Sequence, residues 1–209
     1  MRRTPTAIRR ALLGATLGLS LLLGGCASVY RVDNLVQSFA RWTGASAPTA
    51  PQAYRFERLP SQREGQAAAS QDELESLTRA ALARAGWKLA EPADAAPWTV
   101  QVTGGALKLP RAPWEEPWDG FGAGWGLYGG SGVWGSTLFM RMDIPYHERQ
   151  VSLVVRQAAT GQVVYETSAR HDGRWNSSPE LWSAMLDAAL RDFPNPPTGA
   201  RQVNIEVPR

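Results

Sequence analysis

Hydrophobic residues recur along this chain at two spacings, and each spacing assigns a type of element. The first apolar stretch is an uncharged run from Ala11 to Leu23, preceded by Arg2, Arg3, Arg9 and Arg10. From Val29 to Trp42 apolar side chains stand at Val29, Val32, Leu35, Val36, Phe39 and Trp42. That spacing suits a helix or a bent strand, and the β-branched and aromatic content favours the strand. Gly44 to Pro51, rich in Ala, Ser, Thr and Pro, is expected to be a loop. Tyr54 to Leu59 then alternates apolar and polar residues and stops at Pro60, as a half-buried strand would.

Helical spacing begins at Ser70. Ser70-Gln71-Asp72-Glu73 has the form of a capping box, in which the serine oxygen and the glutamate satisfy each other's free amide groups. Leu74, Leu77, Ala81 and Ala85 lie three or four apart on one face, and Gly86 supplies the left-handed stop. The acids of that first turn are read as complements to the helix dipole rather than as catalysts. A second helix is expected from Ser177-Ser178-Pro179-Glu180, with a serine cap and a proline in its first turn. Its apolar face is Trp182, Met185, Leu186, Ala189 and Phe193, and Pro194, Pro196 and Pro197 end it.

Period-two alternation returns at Trp98–Val102, at Leu138–Ile144, and at Val151, Leu153 and Val155. Ala159-Thr160-Gly161-Gln162 reads as the turn of a β-hairpin whose second strand holds Val163, Tyr165 and Thr167. Gln202 to Val207 alternates as a last strand. Strands in runs with short links and two helices predict an α+β fold: an antiparallel β-sheet with two α-helices packed on one face, plus a Gly/Trp-rich loop insertion. The expected organisation is residues 1–25 as signal, 26–28 as a lipidated N-terminus, and 29–209 as a single domain with 110–137 as the insertion.

The first apolar run has the form of an export signal, with a basic start and an uncharged core. Thirteen helical residues rise only about 20 Å, short of the ~30 Å hydrocarbon core, so the run is a poor permanent span. It ends in Leu23-Gly24-Gly25-Cys26, which resembles the bacterial lipobox. Cleavage between Gly25 and Cys26 and lipidation of the Cys26 thiol are therefore expected. Ala27 stands where an inner-membrane lipoprotein of the enteric type would show aspartate, which resembles outer-membrane sorting, the domain facing the periplasm.

Cleavage also changes the charge. The whole chain carries 22 basic and 19 acidic residues, net +3, but loss of the four signal arginines leaves 18 basic against 19 acidic, net −1. Nucleic-acid binding, which needs a basic face to displace counterions from phosphates, loses its compositional support. Cys26 is the only cysteine, so a mature domain would fold without disulfides on its packed core alone.

The lipobox, Tyr54-Arg55-Phe56-Glu57-Arg58, Val151-Ser152-Leu153-Val154-Val155-Arg156, Val164-Tyr165-Glu166-Thr167 and Asp192-Phe193-Pro194-Asn195-Pro196-Pro197 together resemble the bacterial lipoproteins of the domain-of-unknown-function 4136 family. The resemblance runs from about Val29 to Val207. It implies a small envelope α+β domain and brings no catalytic residues and no cofactor.

The residues themselves offer little chemistry. Pro110 to Gly135 holds Trp114, Trp118, Trp125 and Trp134 with eight glycines from Gly120 onward, and these tryptophans are the candidate ligand contacts. Indole faces stack on sugars and sit well at membrane interfaces, although glycine makes preorganised binding costly, so tryptophans folded back over the sheet are the plainer expectation. Gly124-Trp125-Gly126-Leu127-Tyr128-Gly129 spells a dinucleotide motif with no amphipathic helix after it. Glu115, Glu116 and Asp119 sit among prolines and glycines, too loosely held for a glycosidase pair. His147 and His171 lack zinc-ligand spacing, so no metal site is expected. Ser168, His171 and Asp172 are too close along one segment to form a triad. The expectation is a non-enzymatic, lipid-anchored envelope protein that contacts another envelope component. The alternatives are a peptidoglycan- or glycan-binding or glycan-hydrolysing protein using the tryptophans, and a structural spacer.

Overall fold

The computed structural model describes residues 29–42, 47–92, 96–114, 123–124, 137–138, 145–174 and 178–208. Cys26, Gly25, Trp118, Trp125, Trp134, Glu115, Glu116, Asp119 and the expected strand beyond Leu138 lie outside them, as does all of the dinucleotide-like motif except Gly124.

Among the described residues one large sheet dominates. Its strands are β1 (Val29–Ala40), β2 (Gln52–Phe56), β3 (Trp87–Leu89), β4 (Trp98–Leu109), β7 (Tyr146–Gln157), β8 (Val163–Gly173) and β9 (Arg201–Pro208). They run in the order β3-β2-β4-β7-β8-β1-β9. The short strands β5 (Ala123–Gly124) and β6 (Thr137–Leu138) pair separately, inside the β4–β7 connection. Helices α1 (Gly65–Arg84) and α2 (Pro179–Ala189) pack on each other and on the same face of the sheet. This is the expected α+β class, with two helices on one face.

The sheet is mixed rather than wholly antiparallel. β2 is parallel to both β3 and β4, while the pairs β4–β7, β7–β8, β8–β1 and β1–β9 are antiparallel. The cause is α1, which lies between β2 and β3 in the chain and carries it back across the sheet, as a parallel connection requires. β3, only three residues long, offers too short an alternation to be read from the sequence.

α1 also begins earlier than its apparent cap. Glu64 is the N-cap, and Ser70 is an exposed residue inside the helix. Ala67, Ala68 and Ala69, the residue type of highest helix propensity, carry the helix back past the apparent box. Asp72 and Glu73 therefore do not cap a first turn. Asp72 joins Glu75 in holding Arg58, whose Nε and Nη2 lie 2.6 and 2.7 Å from the two Glu75 oxygens, and the Glu75 hydrogen bond raises the guanidinium pKa further. Buried Gln71 donates to the Val102 carbonyl at 3.1 Å and pins the helix to β4. The helix stops at Gly86, where φ is 81°.

α2 follows expectation at its start: the Ser178 side chain accepts from the Leu181 amide. Met185, Leu186 and Ala189 are buried, with Trp182 and Phe193 packed against the same core. Thr167 in β8 donates to the Ala189 carbonyl at 2.9 Å, satisfying one of the acceptors that a helix leaves open at its C-terminus.

The core lies between this face and the helices. Val32 and Val36 of β1, Val100 and Val102 of β4, Val151, Leu153 and Val155 of β7, and Tyr165 and Ala169 of β8 all point into it. At one end it becomes a cluster of rings. Trp42 meets Trp87, Trp98, Tyr165 and Phe193 with centroids 5.6 to 6.2 Å apart, mostly edge-on or tilted. The indole hydrogens of Trp42 and Trp98 donate to the Pro194 carbonyl and to Gln52 Oε1.

Candidate functional site

Alternation along the strands buries one face of the sheet and leaves the other without a layer among the described residues. On β1 the inward Val32 and Val36 alternate with Leu35 and Phe39, which point outward and are 54% and 57% exposed. Cross-strand register extends this outer face: Leu35 lies opposite Arg170 and Gln202, Arg170 opposite Gln150, and Gln150 opposite Gly105. One step along, Leu107 pairs with Glu148 and Glu148 with Asp172.

These residues line a groove of about 700 Å³. Its apolar members are Leu35 and Leu107, and its charges are Asp33, Glu148 and Asp172 against Arg149 and Arg170. Gly105 leaves the floor bare, with open space where a Cβ would stand. Arg170 is drawn toward Gln150, its Nε donating to the amide oxygen at 3.1 Å. Opposite charges, apolar side chains and amides within one shallow surface suit recognition of a mixed polypeptide surface.

Trp114 is the one candidate tryptophan among the described residues. It is 70% exposed and meets Tyr146 edge-on, the centroids 5.0 Å apart. The Tyr146 hydroxyl donates to Asp172, and burial followed by that bond pushes its pKa up. Trp114 is thus linked through one ring and one hydrogen bond to the wall of the groove. Its ring rests against Tyr146 of β7 while most of the indole stays exposed.

The two histidines sit at the corresponding end of the buried face. His171 Nδ1 lies 2.8 Å from the Asp33 carbonyl and Nε2 3.4 Å from the Tyr30 hydroxyl. Because Ser168 and Asp172 belong to the outer face and His171 to the inner one, the three cannot converge as a triad. Among the described residues no group of three or more His, Cys, Asp and Glu side chains could hold a metal ion.

Burial, then the nearby Arg149 and Lys108, hold the His147 pKa below its ordinary 6.5. The unfolded chain therefore binds the proton more readily. The stability associated with a neutral His147 is complete above pH ~6.5 and declines as the pH falls through the interval below it. Thermal melts between about pH 7.5 and about pH 5 are expected to show a falling Tm, with a shallower fall in His147→Gln. An equal slope in both proteins would remove His147 as the cause.

The sequence does not mark these residues as one groove, although part of the signal is present. Once Val29–Ala40 is a strand, period two puts Leu35 and Phe39 on the face opposite Val32 and Val36. Nothing local, however, brings Asp33, Leu107, Glu148 and Asp172 together. That depends on the strand order.

A structure described as a PDZ domain protein from Parabacteroides distasonis ATCC 8503 is similar to this one, with TM-score 0.50 and 11% identity over 94% of this chain. This chain spans 42% of that protein's length, and the likeness concerns the fold alone. Two structures of a PelC dodecamer from Paraburkholderia phytofirmans give TM-scores of 0.40 at 11% identity, covering 75% of this chain and 94% or 95% of theirs. No curated protein sequence matches. Among the described residues no helix is long and apolar enough to cross a membrane. Residues 37–195 match the family described as Domain of unknown function (DUF4136), and with most of its length inside that match, the chain belongs to this family.

Proposed function

We propose that the protein is a non-enzymatic, periplasm-facing binding module, held at the outer membrane by acyl chains on Cys26, whose open sheet face docks another envelope protein. The observation that carries the reading is the outer face itself, where exposed Leu35 and Leu107 line a groove edged by Asp33, Glu148, Asp172 and Arg170 and exposed Phe39 stands farther along β1 on the same face. Isolated exposed apolar residues are ordinary on protein surfaces, but several on one flat face with charges of both signs at their border are the chemistry of a protein contact. The anchor would hold the domain beside its partner at high local concentration, so modest affinity would suffice.

Photo-crosslinking tests this reading in the full chain, in its native membrane. A photoreactive side chain at Phe39 is expected to capture an envelope protein, and the same group at Ala80, on the exposed side of α1, is expected to capture none. Equal capture from both positions, or none from Phe39, would contradict it.

A second reading is favoured by Trp114, whose exposed indole stands over Tyr146 and near the carboxylate of Asp172. Rings that stack on sugars beside carboxylates that accept from sugar hydroxyls are the chemistry of glycan binding. Sedimentation of the full chain with purified peptidoglycan, abolished by Trp114→Ala, would favour this alternative, and release of soluble fragments would indicate hydrolysis.

A further inference from the structure

The two edges of the large sheet differ. At one end β3 offers three residues, too few to template another strand. At the other, β9 runs for eight residues with β1 on one side and, among the described residues, no strand on the other. It contains no lysine and no internal proline, the usual devices that protect an open edge.

Three further observations say what fits there. Val203, Ile205 and Val207 alternate on the helix side of β9 and are each partly exposed. Beneath the open edge, between β9 and the two helices, lies a groove of about 360 Å³ whose apolar lining is Leu77, Pro179, Ala184, Ile205 and Val207, with Glu180, Ser183 and Asp187 of α2 at its polar rim. A strand added to β9 would send every second side chain into this groove, so it has to be apolar at period two. Finally, the flank of α2 bordering the groove is polar in order: exposed Glu180 stands at its N-terminal end, and exposed Arg191 just beyond its C-terminus, beside Ile205 and Glu206.

We infer that the occupant is a second copy of this chain, paired antiparallel through β9 about a two-fold axis at Ile205. This register sets Ile205 against the partner's Ile205, and Val203 against the partner's Val207, all over the two grooves. On the open face it sets Asn204 against the partner's Glu206, an amide donor facing a carboxylate. The same rotation turns α2 end for end and brings Glu180 toward the partner's Arg191. A foreign strand would have to bring both the apolar spacing and the opposing charges, whereas β9 and α2 of a second copy already carry them. The result is a continuous sheet through both copies, with α1 and α2 of each copy on one side and an isologous interface, the commonest symmetry of soluble oligomers.

Sedimentation equilibrium of the full-length protein in detergent, over micromolar concentrations, tests this. Wild type is expected to dimerise. Ile205→Lys is expected to be monomeric with an unchanged circular dichroism spectrum, because a lysine at the axis meets its own copy. Arg191→Glu is expected to weaken the dimer about tenfold by placing like charges together, and Glu180→Lys combined with Arg191→Glu to restore it. If Ile205→Lys does not fold, the charge pair decides alone, since both its positions are exposed. A wild type monomeric throughout, a folded Ile205→Lys that still dimerises, or a double variant as weak as Arg191→Glu would overturn the inference.

Discussion

Trp87→Ala is expected to cost about 3–5 kcal/mol of folding stability, a large share of the ~5–15 kcal/mol a domain of this size possesses. Trp87 is 1% exposed and sits in the middle of the ring cluster. Tyr54, Trp98, Trp42 and Phe193 all lie with centroids 5.0 to 6.5 Å from it. Truncation leaves a cavity walled by rigid rings that cannot collapse into it, and it removes the fully buried side chain of β3. Urea denaturation followed by tryptophan fluorescence measures the effect as a drop in midpoint. A cost below about 1 kcal/mol would mean that the cluster is not the packing centre. Tyr54→Phe is the contrasting variant. The Tyr54 hydroxyl is buried without a hydrogen-bond partner among the described residues, and burial pushes its pKa up to about 12. Deleting it is expected to be neutral or slightly stabilising, because only an unsatisfied polar group is lost.

Cys26→Ser is expected to abolish acylation completely and to leave residues 1–25 attached. Each buried methylene contributes about 0.8 kcal/mol to membrane binding, so two or more acyl chains make attachment durable where one would be marginal. A serine hydroxyl cannot form the thioether, and the proposed cleavage before residue 26, which the account places after acylation, should fail with it. The precursor should therefore accumulate at higher mass, held by a thirteen-residue apolar run that rises only about 20 Å. Replacing residues 1–25 of that variant with an ordinary cleavable signal should then release the protein from membranes into the soluble periplasm. Retention in the membrane fraction would contradict the proposed anchor.

The elements legible in the sequence are those whose pattern is local. The β7–β8 hairpin could be read from Val151, Leu153 and Val155, the Gly161 turn and the alternation beyond it, and the structure places Gly161 at φ 71°. The Ser178 cap and the apolar face of α2 were legible for the same reason. Where the local pattern misleads, a distant partner decides the matter. Asp72 and Glu73 look like helix-start acids until the helix is seen to begin at Gly65, with Arg58, fourteen residues before Asp72, held by Asp72 and Glu75. The parallel placement of β2 follows from the return of the chain through α1, and strand composition does not announce it.

The candidate site divides along the same line. Leu35 and Phe39 were visible as apolar residues, and their outward direction follows once β1 is a strand. The groove unites residues from five strands, β1, β4, β7, β8 and β9, so it exists only in the assembled sheet. Trp114 was named for its type, and the structure supplies its neighbour, Tyr146. Cys26 is marked as the expected acylation position by residues 23–26 and the apolar run before them alone.

The proposed role depends on that thiol, because the open face can meet an envelope partner only if the domain is tethered there. Mass spectrometry of the protein purified from its own host membranes tests this directly. The account predicts an N-terminal peptide beginning at Cys26 and carrying a thioether-linked diacylglycerol and an amide-linked acyl chain. An unmodified Cys26 thiol, or a mature terminus at any other residue, would contradict it.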